Sequence, residues 1–553
     1  MHLTAEQKAV GKANFHAAIG DELTRREFLQ GSIAAGVVSG AGLGSFYFGY
    51  GKLGGDPVRI GLIGSGDEGG VLIGAHTPEY VEIVAVADIR PYNIHRTFHG
   101  DVTALNHRPG LMAKRGWSSE DEARKHVKVY DQDYHDLIND PAVEAVVIAL
   151  PLHLHDAVAI EAMRAGKHVL TEKLMGYSVA QCKNMARVSR QTKKLLATGH
   201  QRHYNILYDN AVDTIKRGLL GDLHHIRAQW HRTADSWYQP LPDETLKKEL
   251  AEFEKKLAEA KDNARREAVS GKIAEIRQRL MDEGVDAARY GYQEKTLSEG
   301  SNTYQCTPLE ELIRWRLWNR TGGGLMAELG SHQLDAAGIF CTAIRDDGQK
   351  ALPLTVSAMG GRHLYPLNRE VDDHVYCMYE YPGPGYQDDP NKKIVVTYSS
   401  INGNGFGGYG EIVMGTQGTL ILEREQEVMV FKGSDTQTNI KVTKGKGDAP
   451  VLSTSESPGA GAAVGKQALE AGPVSRGYTE EIEHFAWCIR NFDYESNQPK
   501  CHPEVALADA VIALTSNLAM SAGNEGRRIE FKREWFDIDS DATPDGEKPS
   551  MAV

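Results

Sequence analysis

The chain has 553 residues, 62 Lys and Arg against 75 Asp and Glu, and a formal net charge of −13 at pH 7. That length requires two or more domains, each with its own core, and the acidic balance, with no basic stripe, excludes nucleic acid as a partner. Six scattered cysteines, with neither a C-x-x-C pair nor zinc-ligand spacing, argue against a disulfide framework and against a metal centre.

The first feature in chain order is Thr24, Arg25, Arg26, Phe28 and Leu29, which looks like a twin-arginine export signal. Residues 28–51 carry no charge and are rich in Gly and Ala. Such mild hydrophobicity suits that export machinery better than a membrane-spanning helix. Residues 1–55 are therefore expected to be signal and linker. The protein is placed in the periplasm or, since no A-x-A cleavage site is visible, anchored on the outer side of the membrane. A folded protein exported this way can carry a bound cofactor with it.

Residues 58–70 read as a buried strand, a tight glycine turn and a helix start. Gly64, Gly66 and Gly69 follow G-x-G-x-x-G, with Asp67 and Glu68 inside the motif. The first glycine permits the turn, the second the approach of a diphosphate, and the third close helix–strand packing. A second apolar strand, residues 81–87, ends at Asp88, where a carboxylate can bond both ribose hydroxyls. Asp88 favours NAD, because it repels a 2′-phosphate; the nearby Arg90 makes NADP the second choice. Further strand patterns at 127–130, 145–150, 167–170 and 195–199 alternate with helical ones. They predict a parallel Rossmann sheet over residues 56–200. Leu150, Pro151, His153 and His155 follow one strand, and Glu172 and Lys173 end the next, at the edge where open parallel sheets bind ligands.

These residues resemble a known family. The turn at Gly64, Asp88, the run ALPLHLH at 149–155, the run AGKHVLTEK at 165–173 and a motif opening at Gly322 are similar, in this order, to the glucose-fructose oxidoreductase / inositol dehydrogenase (Gfo/Idh/MocA) family. The resemblance covers about residues 56–531, less one insertion. It implies a C-terminal α/β domain whose open, mainly antiparallel sheet serves as an oligomer face, and hence a homodimer or homotetramer. It also implies that Lys173 touches both substrate and cofactor, although Leu174 stands where the family has proline.

The second domain is expected over residues 201–535, with a tail at 536–553. It opens with a strand at 223–230. Residues 241–290 depart from the family plan as a charged helical hairpin, read as a solvated packing element, with a lid or an oligomer contact as the functional alternative. Strands follow near 355–358, 374–379, 394–398, 411–414 and 419–422. Residues 444–474, rich in Gly, Ala and Ser, are expected to be a flexible loop, and helices are expected at 479–490 and 503–522.

After Gly322, Gly323 and Gly324, the residues Glu328, His332 and Asp335 would share one stripe of a helix. In the family an acid, usually Asp, and a histidine at this spacing contact the substrate. The resemblance makes His332 the proton acceptor and Glu328 the group that holds it or a neighbouring hydroxyl. His203, Tyr204 and Asp335 are expected to shape the substrate pocket. Trp230, Trp237, Tyr238, Trp315 and Trp318 flank the cleft. The cofactor set is then Gly64, Gly66, Asp67, Glu68, Gly69, Asp88, Arg90, Leu150, Pro151, His155, Glu172 and Lys173. The whole reads as an NAD(P)-dependent oxidoreductase acting on a sugar, polyol or related carbohydrate. The alternatives are an NAD-dependent glycoside hydrolase working by transient ring oxidation, and a non-catalytic dinucleotide-binding protein.

Overall fold

The computed structural model describes residues 3–23, 44, 47–103, 106–233, 237–345, 347–457, 459–470, 475–521 and 527–550. The expected twin-arginine motif at 24–29 lies outside the described residues. The segment ahead of it, expected as the leading part of a signal, is a 19-residue helix, α1 (Ala5–Leu23), with Phe15, Ala18 and Ile19 buried in the core.

The first sheet is built from apolar runs buried on both faces, as a parallel sheet covered by helices requires. It comprises β1 (Val58–Ile63), β2 (Val81–Ala87), β3 (Lys128–Tyr130), β4 (Ala145–Ile148), β5 (His168–Glu172) and β6 (Leu196–Gly199). The order is β3-β2-β1-β4-β5-β6 and every pair is parallel. The strand order reverses between β1 and β4, which opens a crevice at their carboxyl ends. α2 (Asp67–Ala75) follows β1, and α3 (Pro91–His99) follows β2 with proline in its first turn.

The second sheet has eight strands. They are β7 (Leu223–Arg232), β8 (Thr355–Gly361), β9 (His374–Pro382), β10 (Lys393–Asn402), β11 (Tyr409–Gly415), β12 (Gly418–Glu423), β13 (Glu427–Lys432) and β14 (Arg528–Glu530), in the order β13-β12-β11-β7-β10-β9-β8-β14. Only β7 and β10 pair in parallel, so the sheet is mainly antiparallel, as expected. Along β10 buried and half-exposed residues alternate strictly, so one face meets the core and the other is open. Met359 and Met378 stand exposed on the open side.

The expected insertion is a helical hairpin, α4 (Glu244–Glu259) and α5 (Asn263–Leu280), each started by an aspartate, Asp243 and Asp262, accepting from first-turn N–H groups. Past α5 the chain makes two 3₁₀ turns, Met281–Gly284 and Ala287–Tyr290. α6 (Ser331–Ala343) then crosses beneath the second sheet.

The loop expected at 444–474 is a correction. It contains the strand Pro450–Ser455, paired with Asn439–Lys444, and the helix α7 (Ala460–Glu470). The small residues that suggested flexibility permit close packing instead: a side chain on Gly20 of α1 would meet the Gly461 carbonyl oxygen at 1.7 Å, and one on Gly465 would meet the His16 carbonyl oxygen at 2.3 Å. α8 (Tyr478–Arg490) and α9 (Pro503–Ser521) match the two expected helices; α9 packs against the core of the first domain through Ala506, Leu507, Ala510 and Val511.

Candidate active site

The glycine turn is where local geometry speaks most directly. Gly64 has φ +88°, and a Cβ there would lie 2.4 Å from the Ala149 carbonyl oxygen. A Cβ on Gly69 would lie 2.3 Å from the Gly64 carbonyl oxygen, so helix and strand touch there. Gly66 differs: its φ is −68°, and an added Cβ would meet only Asn93 Nδ2, at 3.6 Å. Packing therefore demands glycine at 64 and 69 but leaves room for a Cβ at 66, where the backbone, with ψ −145°, still suits glycine best. That room opens into a cavity of about 490 Å³, lined by Gly64, Gly66, Asp67, Glu68, Asp88 and Arg90 at this end. The first N–H groups of α2, which lack helical partners as at any helix start, lie along this wall.

Asp88 sits at the tip of β2 on the cavity wall. Its Oδ2 accepts from Ser65 N (2.8 Å) and Asn93 Nδ2 (3.0 Å), and its Oδ1 accepts from Arg90 N (2.9 Å). Asp67, an acid at a helix start where a diphosphate would lie, is matched by Arg96 (2.8 Å) and Arg108 (3.2 Å). Burial would raise its pKa, but the charges of Arg96, Arg316 and Arg108 hold it well below the usual carboxylate range. Leu150 and Pro151 line the cavity past β4.

At the other end β5 delivers Glu172 and Lys173; the peptide bond from Lys173 to Leu174 is cis. Lys173 Nζ donates to the Glu328 carbonyl oxygen (2.9 Å) and lies 3.7 Å from Glu328 Oε2. Glu328 also accepts from Arg316 Nε at 2.9 Å. Burial alone would raise the Glu328 pKa, but the Arg316 guanidinium and the Lys173 ammonium outweigh it and hold it at about 2. Glu172 and Glu68 shift the other way. Burial, and for Glu172 the nearby Glu68, push Glu172 well above the usual carboxylate range; burial also raises Glu68. Lysine, arginine and carboxyl groups from both domains thus meet at one end of the cavity.

The expected Glu328–His332–Asp335 stripe does not form, because Met326–Gly330 is a turn of π-helix before α6 begins. Of the three, Glu328 lines the cavity and His332 and Asp335 do not. Glu328 therefore holds Lys173 and Arg316 rather than His332. The His332 ring lies 5.6 Å from that of Trp230 and outside the cavity lining. Burial first, then the charges of Lys173 and Arg202, keep it neutral, its pKa well below 6.5.

Three expected substrate residues have partners within the protein. Asp335 is buried, accepts from His203 Nε2 at 2.8 Å, and lies 3.5 Å from Lys350 Nζ, which also pairs with buried Asp509. His203 is consumed by that contact. Tyr204 is buried in the core, its hydroxyl between His484 Nδ1 (3.1 Å) and Lys500 N (2.8 Å). His155 is a brace rather than a cofactor contact: it is buried with Nδ1 and Nε2 each 2.9 Å from a carbonyl oxygen, of Leu174 and Leu150. Of the flanking aromatics only Trp315 lines the cavity; Trp318 and Trp237 are core residues, Trp230 stacks on Tyr409, and Tyr238 lies under Arg314.

Sequence reasoning missed Asn93, Arg96 and Arg316, and the tyrosines Tyr290 and Tyr292 with Arg289 past the hairpin, all of which line the cavity. The basic–aromatic run at 314–318 (RWRLW) was the one visible signal.

The fold and the site together define an NAD-binding Rossmann domain joined to a mixed-sheet α/β domain. Residues 58–200 match the model of the Gfo/Idh/MocA family, described as an oxidoreductase family with an NAD-binding Rossmann fold. The inositol 2-dehydrogenase of Salmonella typhimurium is 31% identical over 165 residues, covering 30% of this chain and 41% of that protein. The match thus spans well under half the length of that curated relative. A glycosyl hydrolase family 109 protein of Shewanella pealeana is 25% identical over 180 residues, 32% of this chain and 35% of that one. The crystal structure of an aldose-aldose oxidoreductase from Caulobacter crescentus, complexed with glycerol, aligns over 86% of this chain and all of that one, with a TM-score of 0.51 at 16% identity. That likeness is one of fold.

Proposed function

We propose that this protein is an NAD-dependent oxidoreductase acting on a sugar, polyol or related carbohydrate. The observation that carries the reading is the single cavity that has Gly66 and Asp88 at one end and Lys173, Glu328 and Arg316 at the other. The room at Gly66 and the N–H groups of α2 suit a diphosphate, and Asp88 suits the ribose hydroxyls. A bound nicotinamide would supply the hydride acceptor. Lys173, fixed by the Glu328 carbonyl, has ammonium protons left for the carbinol oxygen. His332, neutral and four residues past Glu328, is the base assigned to the hydroxyl proton on the family resemblance. Arg316 fixes Glu328, and Glu328 fixes Lys173.

The test is NADH formation by the purified protein with NAD and a panel of cyclic polyols and aldoses. Turnover with at least one of them is the expected result; no turnover by a chain that binds NAD would overturn the reading. The Shewanella likeness favours a second reading, a glycosidase that oxidises the ring transiently. Release of aglycone from a glycoside with no net NADH would select it.

Export by the twin-arginine route belongs to the same proposal, supported by Arg25 and Arg26. Because α1 is folded into the core, we expect the segment to be kept, so N-terminal sequencing of the exported protein should begin ahead of Phe15. Self-association through the open sheet face is supported by exposed Met359 and Met378.

A further inference from the structure

The inserted segment does more than pack. Arg90 lies on the cavity wall two residues past Asp88, at the position from which an arginine can receive a 2′-phosphate. Its Nε, however, donates to Asp282 Oδ2 at 2.8 Å. Asp282 comes from the first 3₁₀ turn after the inserted hairpin, and its side chain is 1% exposed. The other oxygen of Asp282 accepts from Tyr92 N at 3.0 Å, one of the unfilled donors in the first turn of α3. One buried carboxylate therefore both caps α3 and takes the Nε of Arg90. The next turn adds Arg289 and Tyr290 to the cavity wall, and both reach Gln132 Oε1, at 3.2 and 3.5 Å.

We infer that Asp282 sets the dinucleotide preference: by pairing with Arg90 through Nε it offsets the charge a 2′-phosphate would need and tilts the site towards NAD. The inference rests on the oxidoreductase reading above. A 2′-phosphate at Asp88 would meet a carboxylate, and beside it an arginine whose charge is already offset by Asp282. An NAD ribose needs no such cation, because its hydroxyls donate to Asp88. Asp282 acts through Arg90, so it is a positioning residue, and its signature is a change in a ratio of affinities rather than a general loss.

The experiment titrates NAD and NADP against the full chain and three variants. Asp282→Asn keeps an oxygen for Tyr92 N and removes the charge. It should tighten NADP by about tenfold, the worth of one charge-assisted hydrogen bond, while NAD moves by less than about threefold. Arg90→Ala added to Asp282→Asn should abolish the gain. Asp282→Ser, which also offers an uncharged oxygen to Tyr92 N, should tighten NADP in the same direction and carries the test if Asp282→Asn does not fold. Equal weakening of both nucleotides or an unchanged NADP affinity in the Asp282 variants, a gain that survives Arg90→Ala, or a parent that prefers NADP would each overturn the inference. A parent chain that binds neither nucleotide would instead remove the oxidoreductase reading.

Discussion

The two ends of the cavity are made in different ways. The glycine end is local: Gly64, Gly66, Gly69 and Asp88 lie within 25 residues, and their spacing dictates their geometry. The lysine end is assembled from residues far apart in sequence. Lys173 comes from β5, Arg316 from a turn ahead of the Gly322 motif, and Glu328 from a π-turn, and each is oriented by the others. A motif can therefore announce where a dinucleotide lies, but the charges that would act on a substrate are set by partners that no local pattern names.

The largest effect should come from the assembled end. Lys173→Ala removes the donor aimed at the carbinol oxygen, and kcat should fall by about a thousandfold, with NAD affinity held within a few fold. Steady-state kinetics beside a binding titration checks both halves. A matching loss of NAD affinity would mean that the lysine serves the cofactor alone, and the contrast between the ends would collapse.

The local end should break by strain. Gly64→Ala forces a Cβ onto the Ala149 carbonyl at positive φ. Denaturant unfolding should report a loss of about 4 kcal/mol, the sum of a left-handed backbone penalty and an overpacked contact. A loss under about 1 kcal/mol would show that the turn relaxes and that its geometry is not what fixes the glycine.

Glu328 offers a test by pH. Its carboxyl is held at about 2, below the ordinary 4.5, so its ion pairs add stability that is complete above pH 4.5 and is lost as the pH falls towards 2. Chemical unfolding of Glu328→Gln should show a deficit of about 3 kcal/mol at neutral pH, and the gap to wild type should narrow through that acid window. A deficit independent of pH would point to packing instead.

The parallel first sheet, the inserted hairpin and the two late helices were legible because each has a strong period or a glycine signature. The stripe at Glu328 was misread because a helical wheel assumes 3.6 residues per turn, and the π-turn breaks that count. Tyr204 was misread because position at a sheet edge does not reveal which way a ring turns, and its ring turned into the core. Residues 444–474 were read as a loop because Gly and Ala were taken for flexibility when they serve close helix contact. Asp282 was out of reach because it meets Arg90 across 192 residues.

The smallest effect sharpens that last point. Tyr204→Phe should leave KM and kcat within about threefold and cost about 1 kcal/mol in thermal or chemical unfolding, since it deletes only buried hydrogen bonds to His484 and Lys500. A large rise in KM would return Tyr204 to the substrate site.

The central claim is that the space beside Gly66 exists for a dinucleotide and not for the fold. Native mass spectrometry of the full chain with added NAD, for the wild type and for Gly66→Val, tests it most directly. The account expects one dinucleotide on each wild-type chain and none on Gly66→Val, with both proteins folded by circular dichroism. Equal occupancy in the two, or no dinucleotide on the wild type, would contradict it.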